Sequence, residues 1–241
     1  MASTSEVGHA KNIANLNLLN NNIQALGSIY DPTNPILKME NLHHTYTISY
    51  DSHVKVNNLM APYSLAVDDR TLYFAPLNRQ LTKLKKAYKA TEGVTPAQVE
   101  DLTTILRKLK GERKTKSTAT TDTTILQASH STSQMSYDQR TNNMDGLISL
   151  LQNTPNYNPN EQEYKIETYI NKKETMLAKT QAVNNTFIPL NNARNERNKL
   201  LYMDNDNLVD VGNKAKDYLF SILDINSVQY KAIAKIKFRK I

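Results

Sequence analysis

Two segments of this chain of 241 residues carry one signature at a constant offset of 127 positions. The first has Val56-Asn57-Asn58, Pro62 and Asp69-Arg70; the second has Val183-Asn184-Asn185, Pro189 and Glu196-Arg197. The same offset joins Tyr30-x-Pro32 to Tyr157-x-Pro159 and Glu40 to Glu167, and after a two-residue insertion Leu72-Tyr73 meets Leu201-Tyr202. Self-similarity of this kind predicts a tandem duplication, so that one architecture is expected twice.

The periodicity between these landmarks is helical. Ile13, Leu16, Leu19, Ile23 and Leu26 recur in steps of three and four, the pattern of an amphipathic helix. A second helix is expected to start near Pro35 and to carry Ile36, Met39, His43, Tyr46 and Tyr50 on one side. Proline removes a donor and disfavours the helical conformation in its predecessor, so Pro62 and Pro189 are expected to break or kink the chain. Leu77, Leu81, Leu84 and Tyr88 form another stripe. Thr95-Pro96 is an N-cap followed by a first-position proline, opening a helix with Val99, Leu102, Leu106 and Leu109.

Residues 111–142 change character, with many Ser, Thr, Asp and Gln and few apolar residues; they are expected to be a flexible linker with one short turn at 124–128. Beyond it the plan repeats. A short helix carries Leu147, Leu150 and Leu151, a long one runs over about 161–182, and the clearest stripe is Leu208, Val211, Ala215, Tyr218, Leu219 and Ile222. A last helix starts near Ser227. The expected fold is all-α: two tandem antiparallel four-helix-type bundles, 1–110 and 143–241, joined by the linker 111–142.

Composition narrows the chemistry. There is no cysteine, which excludes disulfides, thiolate metal sites and cysteine nucleophiles. No apolar run approaches the roughly 20 residues of a membrane helix, and no basic stretch followed by an apolar run opens the chain. A soluble, cytoplasmic protein without a membrane partner is expected. The net charge of +7 is modest for this length and reads first as a solvated basic surface.

Four groups of residues are candidates for a site. Glu40 and His43 form an E-x-x-H, the spacing that presents a carboxylate and an imidazole on one helix face in di-iron bundles. The second copy has Glu167 but Ile170 where a histidine would stand, so no metal is expected, and His43 is expected to half-bury at a helix interface. Asp69-Arg70 and Glu196-Arg197 are the best-matched polar pairs. Their arginines are expected to form inter-helix ion pairs or to cap helix ends, the alternative being anion binding in two equivalent pockets. Two basic clusters, Arg107, Lys108, Lys110, Arg113, Lys114 and Lys116 in one and Lys235, Lys237, Arg239 and Lys240 in the other, follow the last helix of each half and would be the nucleic-acid surface if there is one. Helix-dipole stabilisation is a sufficient reason for them. The 13 tyrosines are expected in the core with hydroxyls at its rim. No phosphate loop, nucleophile elbow, H-E-x-x-H or EF-hand loop occurs, and no cofactor is implied.

The ending Asn226-Ser227-Val228-Gln229-Tyr230-Lys231 with Ile236-Lys237-Phe238, preceded by Arg197-Asn198-x-Leu200-Leu201-Tyr202 and Leu208-Val209-Asp210, resembles a group of uncharacterised bacterial all-helical proteins. The resemblance covers about the last 55 residues and implies an all-α fold without implying an activity. The leading expectation is a non-enzymatic scaffold or interaction module that offers helix faces to a protein partner or to a second copy. A nucleic-acid-associated protein comes next, and a metal- or small-molecule-binding bundle last.

Overall fold

The computed structural model describes residues 8–112 and 136–240, and its regular elements there are all helical. They are α1 (His9–Leu26), α2 (Met39–Phe74), α3 (Leu77–Lys89), α4 (Pro96–Lys110), α5 (Tyr137–Gln152), α6 (Ile166–Asn198), α7 (Leu208–Ile222) and α8 (Val228–Ala234). Short 3-10 turns at Pro35–Leu37 and Gln162–Tyr164 lead into the two long helices, and a π turn at Lys199–Met203 ends the second. The expected turn at 124–128 lies outside the described residues.

Local chemistry sets most boundaries. Thr95 and Gln98 make a reciprocal capping box at the start of α4, with Gln98 N–H donating to Thr95 Oγ1 at 3.3 Å and Thr95 N–H to Gln98 Oε1 at 2.8 Å, the arrangement that satisfies two orphan donors at once. Ser136, Asn207 and Ser227 cap α5, α7 and α8 in the simpler way, each accepting one backbone N–H. Gly111, left-handed at φ 73°, closes α4, a conformation that costs glycine nothing. Because α5 starts at Tyr137, the last residues of the expected linker are helical.

Both prolines sit inside uninterrupted helices: α2 runs through Pro62 and α6 through Pro189. The expected breaks do not occur. A proline forfeits one i→i−4 bond, and around Pro62 and Pro189 the cluster of Val56, Leu190 and Ala193 with Leu59 and Tyr63 packs the two helices together and offsets that loss. The buried series in these helices has a seven-residue step: Leu42, Ser49 and Val56 in α2, and Tyr169, Met176, Val183, Leu190 and Arg197 in α6. A heptad series presents one narrow seam. His43 is therefore exposed, one position off the seam, and not half-buried as expected.

The chain forms two compact units, and neither coincides with an expected bundle. One comprises Met1–Tyr63 with Thr186–Ile241; the other is Ser64–Asn185. The physical reason is that the long helices do not break at proline, so the chain is carried past the point where the expected bundles would have closed.

In the discontinuous unit, Ile13, Leu16, Leu19 and Ile23 of α1 share a core with Leu208, Val211, Ala215 and Leu219 of α7 and with Ile233, Ile236 and Phe238. Each fully buried Leu or Ile contributes about 1.5–3 kcal/mol. The extended end of the chain is held by α1: Asn12 Nδ2 donates to Arg239 O at 2.7 Å, Arg239 N–H donates to Asn12 Oδ1 at 3.1 Å, and Asn15 Nδ2 donates to Lys237 O at 2.8 Å. Phe238 lies flat over Gly212 of α7, where a Cβ would stand 2.7 Å from its ring.

In the continuous unit the core is Leu77, Leu81, Leu84 and Tyr88 of α3, Leu102, Leu106 and Leu109 of α4, Met144, Leu147 and Leu151 of α5, and Tyr169 and Met176 of α6. Tyr88 packs on Tyr157 at 5.8 Å between centroids, and its hydroxyl lies 2.8 Å from Thr154 Oγ1.

Candidate functional site

The polar groups of the discontinuous unit concentrate around Tyr202, in the π turn after α6. Its hydroxyl is 2.8 Å from His9 Nδ1, the first residue of α1, and 3.4 Å from Asn12 Nδ2. Asn12 is oriented by its paired bonds to the Arg239 backbone, so the atom it turns to Tyr202 is a donor. The Tyr202 oxygen accepts that bond and its own hydrogen goes to His9 Nδ1, which assigns the His9 proton to Nε2.

Two further side chains, Arg197 and His53, act electrostatically on His9. Arg197, at the end of the α6 seam, is only 8% exposed. Its Nε and Nη2 both donate to Asn198 Oδ1, at 3.2 and 3.0 Å. His53 of α2 is half-buried, and its Nδ1 is sealed from solvent without a hydrogen-bond partner. Burial, then the charge of Arg197, then His53 lower the His9 pKa below its ordinary value. Burial and Arg197 do the same to His53. Arg197 itself is lowered by burial, with Tyr202 acting in the opposite sense and Arg194 adding to it. None of the ion pairs formed by the described residues includes Arg197.

The arginines thus do not play the expected role. The carboxylates beside them make the ion pairs: Asp69 with Lys179 at 2.6 Å and Glu196 with Lys55 at 2.8 Å. Among the described residues Arg70 forms no ion pair; its guanidinium lies 4.0 Å above the Tyr137 ring, a cation–π contact. Tyr137 opens α5 as His9 opens α1. A ring therefore covers one arginine, while an imidazole stands near the other.

A second feature of the discontinuous unit is an open groove of about 580 Å³ between α2 and α6, lined by Val54, Leu59, Pro189 and Ala193 with Asp51, Lys55, Asn58 and Asn192. Met60, Phe187 and Ile188, on the same two helices, are exposed apolar side chains. Because Pro62 has no N–H, the Asn58 carbonyl of the groove wall loses its helical donor.

The remaining sequence candidates are dispersed. Glu40 and His43 are both exposed, and no group of three or more metal-ligating side chains forms among the described residues. Of the first basic cluster, Lys110 donates to Thr82 Oγ1 at 2.9 Å and Lys108 is exposed, while Arg113, Lys114 and Lys116 lie outside the described residues. In the second, Lys235, Lys237, Arg239 and Lys240 are exposed, and Lys240 pairs with Asp210 at 3.1 Å. The two clusters belong to different compact units. No helix of the described residues is long and apolar enough to cross a membrane.

Sequence reasoning did not reach His9, Asn12, His53 or Tyr202 as a group. Its one visible trace is polar residues embedded in an apolar stripe: Asn12 and Asn15 are buried in α1 beside Ile13 and Leu16.

Comparison with protein families, with curated proteins and with solved structures gives no match.

Proposed function

We propose that this protein is a non-enzymatic helical interaction module of the cytoplasm, whose partner surface is the groove between α2 and α6. The observation that carries this reading is the groove itself, with apolar walls at Val54, Leu59, Pro189 and Ala193 and three exposed apolar side chains, Met60, Phe187 and Ile188, on its two helices. An apolar floor with a mixed rim of Asp51, Lys55, Asn58 and Asn192 fits one amphipathic helix of a protein partner.

We also infer that the chain arose by duplication of a helical segment, with each compact unit built crosswise from the front of one copy and the back of the other. The 127-residue offset supports this, because it relates the turns at Pro35–Leu37 and Gln162–Tyr164 and the starts of α2 and α6. So do the tyrosine contacts, where Tyr30 meets Tyr218 while Tyr157 meets Tyr88.

The test is affinity capture from the native lysate with the whole chain and with Asn192→Arg, an exposed groove residue whose change leaves the core intact. A defined protein that survives nuclease treatment and is lost from the variant is the expected result. Equal recovery by both chains refutes the groove. Partners that vanish with nuclease and persist with Asn192→Arg turn the reading to nucleic acid at the basic ends.

A further inference from the structure

The corner between α2 and α3 leaves a space in the continuous unit. Ala75 N–H still donates to Thr71 O at 3.0 Å, but Pro76 has no N–H with which to extend the α2 ladder, and α3 begins at Leu77. Against this corner lies α6, and the two enclose a cavity of about 190 Å³. Phe74, Leu77 and Met176 are its buried lining residues, and the exposed Leu72 also lines it.

The one charge in this lining is Lys172. It stands four residues before Met176, so ammonium and thioether share a face of α6. Lys172 Nζ donates to Oε1 of Gln80, itself a lining residue, at 3.1 Å. An ammonium has three donors, and among the described residues no ion pair includes Lys172. Burial lowers its pKa below the ordinary value, with Glu163 acting in the opposite sense. A positive charge on an apolar wall favours an anion beside it.

We propose that this cavity binds a small apolar monocarboxylate, its carboxylate on Lys172 and Gln80 and its hydrocarbon body against Phe74, Leu77 and Met176. Gln80 accepts from Lys172 through Oε1, which leaves its NH2 as a second donor to the carboxylate. An apolar cavity of about 150 Å³ holds benzene, so the space suits an acid of benzoate size. A thioether beside an aromatic ring adds to the contact. At the 127-residue offset, α2 has Thr45 and Ser49 where α6 has Lys172 and Met176, so the matched place carries no ammonium. The cavity belongs to the continuous unit and the groove to the discontinuous one, so the lysate experiment and this one fail separately.

The test uses the full chain labelled at its methionine methyl groups. The Met176 resonance is followed during titration with benzoate and with hexanoate, each against its neutral alcohol, benzyl alcohol or 1-hexanol. The acids are expected to shift Met176 saturably and to bind roughly tenfold or more tighter than the alcohols, as a hydrogen bond to a charged group implies. The acid that binds more tightly assigns an aromatic or an aliphatic body. Lys172→Met keeps the apolar stem and is expected to abolish the preference for acid over alcohol, while Lys83→Met, at an exposed position of the same unit, retains it. A Met176 resonance that neither acid shifts saturably at millimolar concentration, or acids bound no more tightly than their alcohols, overturns the proposal. Both outcomes are read on the unaltered chain, so they hold even if Lys172→Met does not fold.

Discussion

Tyr157 donates its hydroxyl to the backbone carbonyl of Tyr164 at 2.7 Å. Tyr30 does the same to the carbonyl of Leu37, also at 2.7 Å. In both places the tyrosine spans a loop and closes it onto the 3-10 turn from which a long helix starts. The bond sets where α2 and α6 begin, and so which residues fall on their heptad seams.

Removing either hydroxyl leaves the carbonyl without its donor. Tyr30→Phe and Tyr157→Phe are each expected to lower unfolding free energy by about 1–3 kcal/mol, read from urea transitions at unchanged slope. Burial, then Tyr218, pushes the Tyr30 phenol up to about 12. Its ordinary value is 10.0, so the unfolded chain ionises first. Stability from this group is whole below pH 10 and is lost as pH rises toward 12. Ultraviolet titration of wild type against Tyr30→Phe checks the assignment.

Gly212 marks the closest approach in the discontinuous unit. A Cβ there would lie 2.7 Å from the Phe238 ring, so Gly212→Ala is expected to cost about 1–3 kcal/mol and to release the end of the chain, seen as faster amide exchange at Arg239. Gly146 of α5 is the control. Nothing lies within 4 Å of its would-be Cβ, and Gly146→Ala is expected to stabilise by about 0.4–1 kcal/mol.

Pro62 sits mid-helix and exposed. Pro62→Ala restores an N–H to the Asn58 carbonyl and is expected to raise stability by about 1–3 kcal/mol, measured as a higher urea midpoint. A loss of stability would mean that the chain needs the missing bond, for instance to shape the groove that Asn58 lines.

His9 and His53 have pKa values lowered from 6.5 by burial and by Arg197. In the unfolded chain they take up protons first, so the unfolded state binds more protons in this window and stability rises with pH. Their contribution is whole above pH 6.5 and is lost as pH falls through their folded values. His53→Gln is expected to flatten the stability–pH curve below pH 6.5, and an unchanged slope would refute burial as the cause.

The helical periods on α1, α3, α4 and α7 could be read directly because each helix has one broad apolar face. The capped starts at Thr95 and Ser227 were equally plain. The long helices were harder. Their buried positions include Ser49, Thr180 and Arg197, so the apolar signal is diluted and the prolines read as boundaries. The cluster at Tyr202 joins residues separated by 190 or more positions in the chain, a proximity that no local pattern announces. Arg70 and Arg197 hold matched positions in the sequence, but what distinguishes them is the residue that opens α5 or α1.

The central claim is that the chain forms two compact units, one continuous (Ser64–Asn185) and one discontinuous (Met1–Tyr63 with Thr186–Ile241). Expressing 64–185 and 1–110 as separate chains tests it most directly, by thermal unfolding followed in the near- and far-ultraviolet. The account predicts a cooperative transition with fixed tyrosine signals for 64–185, and no cooperative transition for 1–110. A cooperatively folded 1–110 beside a 64–185 that does not fold would contradict it.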